Sequence, residues 1–410
     1  MPFGSEGLEP GTALALSGGG FRATLFHLGA VWRLLEVEVL QQLKRISSVS
    51  GGSLTSGKLA REWTKLAAAS WSPDAFRTLV VDPLRSLCAR NVDVPSMIKG
   101  TLALGKSIAD FVAGEYDDVL FHGTSMQDLP DAPRFVFNST NLATGVDFRF
   151  SKPYAGDYRI GLIEKPTFKL ASAVAASSAF PPFLSPFELH VDPSSFENVP
   201  GADLHDDERF RNTLRLTDGG VYDNLGLETV EKRFKKLLVS DAGAPFSYGG
   251  IQGSDWPRQT LRIIDILSHQ SRSLRLRTLV AQFHMVHPGS AYWGIATPVD
   301  TFGTPGALAV PRDVTHTLAR LRTRLNHFSD VEQCSLVNLG YAVCDASVRK
   351  TPGIVAGGAP APAWPYPEFA LDRGLRPGIA TETWVAEPPA EPGGIWVVEH
   401  GPDDTAIGGG

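Results

Sequence analysis

The 410-residue chain has little cysteine: Cys88, Cys334 and Cys344. An odd, widely spaced set excludes a disulfide framework and a cysteine-based metal site, and reads as the reduced thiols of a cytosolic protein. Long apolar runs are missing too. No stretch reaches the roughly 18 consecutive apolar residues of a membrane span. There is no excess of positive charge. Lys and Arg number 38 against 44 Asp and Glu, for a net charge of −6, so nothing draws nucleic acid to the molecule as a whole. Residues 1–10 carry neither a basic nor an apolar segment, so no secretory signal is read there. The expected location is the cytoplasm, with at most a peripheral contact to a membrane.

What is present is ordinary for an enzyme: 43% apolar and 20% charged residues. The length suggests two domains, or one large α/β domain with additions. Residues 12–17 form a short apolar strand ending in Gly18-Gly19-Gly20. A helical pattern follows over 22–36, a strand over 44–49, and a second helix over 53–68. This β-α-β-α order predicts a parallel sheet with helices packed on it. Residues 134–150 read as two strands around a Thr-Gly turn, and 214–217 and 237–240 as further strands. A long helix is expected over 257–283 and at least one more within 312–349. Beyond about 352, Pro and Gly become dense, which predicts an irregular extension over 351–410.

The most informative stretch is Ile46-Ser-Ser-Val-Ser50-Gly-Gly52. A serine at a tight strand-to-helix turn, crowded by small residues, is how a nucleophile elbow is built. The first glycine of the usual G-x-S-x-G is replaced by Ser48. The bland alternative is a helix cap by Ser50 or Ser53. Upstream, Ser17-Gly-Gly-Gly-Phe-Arg22 is a glycine loop opening a helix. Its free N–H groups suit a phosphate or a developing oxyanion, with Arg22 as a cation beside them. A dinucleotide fingerprint matches poorly, because the third glycine of G-x-G-x-x-G is absent. Ser50 lies 28 residues beyond Arg22, room for one helix and one strand. Both loops then fall at the same carboxyl edge of the sheet. Downstream, Asp218-Gly219-Gly220 ends a strand. Asp218 there serves either as a general base for Ser50 or as a plain turn residue. None of the ten histidines sits in a loop aimed at Ser50, so a Ser–Asp dyad fits better than a triad with histidine.

These three motifs, in this order, resemble those of the patatin-like phospholipases. Ala176-Ser-Ser-Ala-Phe-Pro-Pro-Phe-Leu-Ser-Pro186 and Asn138-Ser-Thr-Asn-Leu-Ala-Thr-Gly145 add two secondary matches, and the resemblance spans about residues 12 to 243. It implies a three-layer αβα fold with a mostly parallel central sheet, and a hydrolase domain over 10–350 whose helical C-terminal part covers 255–350. It also implies cleavage of fatty acyl esters by Ser50 as nucleophile and Asp218 as base. Gly18, Gly19, Gly20 and Arg22 match the oxyanion loop. Ser48, Gly52, Gly219 and Gly220 support the elbow and the turn. No metal and no cofactor is expected; the expected partner is a phospholipid or another acyl-ester lipid. Two other readings stay open: a partner- or ligand-gated effector or sensor on the same fold, and an esterase of small soluble esters.

Other features are weaker. Arg258, Arg262, Arg272, Arg275 and Arg277 on the long helix read as a solvated face rather than a phospholipid contact. The acidic segment 203–209 lacks the turn glycine and terminal glutamate of a calcium loop. Phe180, Phe183 and Phe187 fit an acyl channel or plain core equally.

Overall fold

The computed structural model describes residues 7–92, 108–182, 184–246, 255–283 and 285–379. Phe183, His284, the Arg258 side chain and the end of the C-terminal extension lie outside the described residues.

Strand β1 (Glu9–Leu16) shows why the molecule has three layers. Its side chains alternate between the two faces of the sheet. Leu14 and Leu16 join one large core, whereas Ala13 and Ala15 join a second, smaller one. Strand β10 (Phe234–Asp241) repeats this, with Leu238 on the first side and Leu237 and Val239 on the second. A strand apolar on both faces requires cover on both faces. On the first face lie α1 (Gly20–Glu36), α2 (Gly51–Ala68) and the helix Asp330–Lys350. On the second lie the turn Glu228–Glu231 and the long helix Trp256–Gln282, whose Leu279 is fully buried.

Among the described residues one sheet of eleven strands runs through the molecule. Its centre is β11-β10-β1-β2-β3, all parallel, where β2 is Leu43–Val49, β3 is Arg134–Asn141 and β11 is Ala291–Gly294. Beyond β3 the pairing turns antiparallel through β4 (Asp147–Ser151), β5 (Tyr154–Asp157), β6 (Gly161–Glu164) and β8 (Phe196–Glu197). Strand β9 (Thr213–Asp218) pairs antiparallel with both β7 (Phe187–His190) and the end of β3. The β-α-β-α opening and the Thr-Gly hairpin stand where the sequence pattern placed them.

Helix α1 is buried almost all round, because the helix Asp330–Lys350 crosses its outer side. The crossing is close enough that a Cβ on Gly29 would meet the Val337 carbonyl at 1.9 Å, and one on Gly340 the Phe26 carbonyl at 1.9 Å. The outer helix is started by a capping box: Ser329 N donates to Glu332 Oε2 at 2.8 Å, and Glu332 N donates to Ser329 Oγ at 3.4 Å. The region 312–349 holds two helices, Arg312–Ala319 and Asp330–Lys350.

Two arginines of the long helix, Arg272 and Arg275, differ from the sequence expectation of a solvated face, whereas Arg277 is exposed as expected. Arg272 turns inward and pairs with fully buried Asp241 at 2.6 Å. Arg275 lies 3.7 Å from Asp223, and Arg262 pairs with Asp265 at 2.9 Å. Among the described residues no helix is long and apolar enough to cross a membrane.

Candidate active site

The junction of three strands builds the site. Strand β2 runs alongside β3 as far as the pair Val49–Asn138, then leaves at Ser50. The next residue of β3, Ser139, pairs with Asp218 at the end of β9. Because β9 runs opposite to β3, its last residue arrives from the other direction. Two strands thus meet end to end along one side of β3, and the junction brings Ser50 and Asp218 together.

Ser50 adopts φ 51° and ψ −120° at the start of α2, without capping it through its side chain. A non-glycine residue at positive φ in this region costs on the order of 1–3 kcal/mol and persists only where its surroundings fix it. Those surroundings are a chain of hydroxyls. Ser50 N donates to Ser177 Oγ at 3.0 Å, and Ser177 Oγ donates to the Asn138 carbonyl at 2.7 Å. Ser53 Oγ lies 2.9 Å from Ser177 Oγ and 3.1 Å from Ser48 Oγ, which in turn lies 2.8 Å from Ser56 Oγ. Ser48 therefore fills the place of the usual elbow glycine with a buried, bonded hydroxyl. Gly52 lets α2 pass the end of β1, since a Cβ there would meet the Leu16 carbonyl at 2.6 Å.

Asp218 is 2% exposed. Its Oδ1 accepts from Gly220 N at 2.7 Å, and its carbonyl accepts from Thr140 Oγ1 at 2.9 Å. Its Oδ2 is buried with no closed hydrogen bond. Burial pushes the carboxyl up to about 6, opposed by the Ser50 hydroxyl and the Gly220 N–H. Gly219 sits against the Asn138 carbonyl, 2.4 Å from where its Cβ would be.

The glycine loop runs beside the elbow. Gly19 (φ 142°) and Gly20 (φ 57°) take conformations that side chains disfavour. A Cβ on Gly18 would lie 3.1 Å from Ser50 Cβ, and one on Gly51 would lie 2.0 Å from the Gly20 carbonyl. The Gly18 N–H is committed to the Asn224 carbonyl at 3.0 Å. Gly19 and Gly20 N–H have no partner among the described residues. They stand at the N-terminus of the 17-residue α1, where the helix dipole adds positive potential.

Arg22 is placed differently from a cation facing the serine. It is 1% exposed, and its guanidinium donates to the carbonyls of Ala319, Leu321 and Ala242 at 3.0, 2.7 and 2.8 Å. Burial and the charge of Arg272 push its pKa down to about 9. It ties the glycine loop to the segment after the helix Arg312–Ala319. His27 is likewise structural. Its Nε2 donates to the Ser17 carbonyl at 2.9 Å, which leaves Nδ1 to accept from Ser240 Oγ at 2.8 Å. Burial holds it neutral, with a pKa pushed down to about 4. Among the described residues no histidine bonds Ser50 or Asp218.

Sequence reasoning left out Ser177, Asn138 and Asn224 as site residues. Ser177 and Asn138 lay inside the two secondary motifs. Asn224 stands six residues after Asp218 in a helical turn, and its Oδ1 lies 2.6 Å from where a Cβ on Gly220 would be.

A family model described as "Patatin-like phospholipase" matches residues 14–230, so the chain belongs to the patatin-like phospholipase family, a family of lipid-hydrolysing enzymes. Among solved structures it is similar to a human GIVD cytosolic phospholipase A2, at 13% identity and a TM-score of 0.45, over 83% of this chain and 60% of that one. The same enzyme in complex with methyl gamma-linolenyl fluorophosphonate gives 15% identity and a TM-score of 0.46, over 82% of this chain and 57% of that one. VipD from Legionella pneumophila gives 14% identity and a TM-score of 0.34, over 83% of this chain and 66% of that one. The chain thus spans less than two thirds of the length of each. No curated protein matches it.

Proposed function

We propose that this protein hydrolyses fatty acyl esters of lipids through a Ser50–Asp218 dyad. The observation that carries the reading is the end-to-end meeting of β2 and β9 on β3, which sets a strained serine against a buried carboxylate with a free oxygen. In the reaction, Asp218 Oδ2 takes the proton from Ser50 Oγ, which attacks the acyl carbonyl. The N–H groups of Gly19 and Gly20 stabilise the oxyanion of the tetrahedral intermediate, and Gly18 spaces the loop against the elbow. One such donor is worth roughly 2.7–4 kcal/mol of barrier in comparable sites. Asp218 then returns the proton to the leaving alcohol. Water, deprotonated by the same carboxylate, releases the fatty acid from Ser50.

Burial helps the base. A carboxyl pushed up to about 6 is a stronger proton acceptor than an exposed one, yet is mostly ionised at neutral pH. The surroundings favour a lipid. Leu142, Phe180 and Val221 are 52, 55 and 44% exposed on the segments that hold Asp218, where an acyl chain or a membrane surface would meet them. The reading places the protein in the cytoplasm, in peripheral contact with its lipid.

The test is labelling by a fluorophosphonate, followed by hydrolysis of a panel of phospholipids and p-nitrophenyl esters of rising chain length. Wild type labels and prefers long chains; Ser50→Ala neither labels nor hydrolyses. Full hydrolysis by Ser50→Ala or Asp218→Ala would overturn the dyad. Equal rates on short and long chains would replace the lipid reading with that of a soluble-ester esterase.

A further inference from the structure

The amino edge of the parallel sheet, opposite the serine, holds a cavity of about 240 Å³. Residues at or near the start of three neighbouring strands and the end of a turn line it: Glu9 of β1, Arg45 of β2, Arg134 of β3, and Arg233 just before β10. Five of its lining residues are basic and two are acidic. Like charges gathered in a concave site repel one another unless a ligand neutralises them.

Partners inside the protein account for only part of this charge. Arg149 pairs with Asp147 at 2.8 Å, and Lys232 with Glu228 at 3.0 Å. Among the described residues Arg134 and Arg233 form no ion pair. Arg45 is 9% exposed; it donates from one terminal nitrogen to the Thr229 carbonyl at 2.7 Å and lies over the Phe234 ring at 5.0 Å. Its Nε is buried with no partner. Burial, then the charge of Arg134, pushes its pKa down to about 10, with Arg233 acting in the same direction and Tyr154 and Glu9 opposing.

The geometry points to a second ligand site, in which Arg45, Arg134 and Arg233 bind a small phosphorylated molecule at the amino edge of the sheet. Guanidinium groups from separate elements converge on one space. A planar carboxylate satisfies one such fork, whereas a tetrahedral phosphate offers oxygens in several directions. The volume equals several waters at about 30 Å³ each, enough for a phosphate and a short organic stem. Tyr154 and Tyr158, also lining the cavity, supply further hydroxyl groups. This site does not depend on the dyad.

The test is isothermal titration of the full chain with sodium pyrophosphate and with glycerol 3-phosphate at fixed ionic strength, alongside flotation with phosphatidic acid vesicles. Arg134→Gln and Arg233→Gln alter partly exposed or exposed side chains and leave the fold and the ester hydrolysis intact. The expected result is saturable binding to wild type that weakens about tenfold with each substitution. Binding of the soluble phosphates identifies a free metabolite as the source; capture by vesicles alone identifies a lipid headgroup. No binding of any of the three, or equal affinity in wild type and the Arg134→Gln/Arg233→Gln double variant, would overturn the site.

Discussion

The two ends of the parallel strands solve opposite problems. At the carboxyl end of β2, the Ser50 N–H and the hydroxyls of Ser177, Ser53, Ser48 and Ser56 form a chain of short contacts beside the carboxylate of Asp218. At the amino end, arginines crowd a cavity and stay partly unneutralised. Uncharged dipoles can be fixed in a dry place at little desolvation cost, so the carboxyl end tolerates burial and strain. Guanidinium charges stay solvated or await a counter-ion. The carboxyl end therefore suits chemistry on an ester, and the amino end suits binding an anion. Strand β2 joins them, with Arg45 at one end and Ser50 just past the other.

The sharpest way to break the contrast is to remove the nucleophile. Ser50→Ala is expected to lower kcat by about 10⁴ or more, read by lipid hydrolysis and fluorophosphonate labelling. Asp218→Asn should cost a similar factor, because an amide cannot take the proton. Wild-type activity should rise with pH through about 6, the point at which the Asp218 carboxyl ionises. A flat profile between pH 5 and 7 would remove Asp218 from the role of base.

The same substitution has an opposite effect on stability. Asp218 has a folded pKa raised from 3.8 to about 6, so its favourable contribution is complete below pH 3.8 and is lost as pH rises through about 6. A neutral asparagine avoids that loss. Asp218→Asn should stabilise the protein at pH 8 by up to about 3 kcal/mol, and not at pH 3.5, by denaturant titration. Equal stability at pH 8 would mean that the buried carboxylate carries no penalty. Ser177→Ala comes next. It leaves the Ser50 N–H and the Asn138 carbonyl without their partner, at roughly 1–3 kcal/mol, and should lower kcat more than it changes KM.

Much of this was legible in the chain. The strand-glycine-helix run at 12–36, the elbow at 46–52 and the Asp-Gly-Gly turn are local patterns, and each motif stands on the element expected for it. What sequence could not carry was pairing at long range. That β9 continues along β3 where β2 leaves it depends on strands some 80 to 170 residues apart. Arg22 shows the same limit. A cation next to a glycine loop reads as a site residue, but its side chain is spent on the carbonyls of Ala319 and Leu321, nearly 300 residues away. Arg272 likewise reads as a solvated helical charge until Asp241 is placed beneath it. The amino-edge cavity was invisible for the same reason, since its arginines lie on or beside separate strands.

The smallest effect tests the electrostatic half of the contrast. Arg134 raises the potential at Arg45 without bonding an acid of its own. Arg134→Gln should therefore stabilise the unliganded protein by a few tenths of a kcal/mol to about 1 kcal/mol at low salt. The gain should fade near 0.5 M NaCl, where screening shortens the reach of charge below about 5 Å. Phosphate binding should reverse the order, because wild type then gains a ligand that the variant holds poorly. A variant less stable than wild type in low salt without phosphate would mean that Arg134 is already neutralised. Under that result the two ends of the sheet would be alike in having no charge left over.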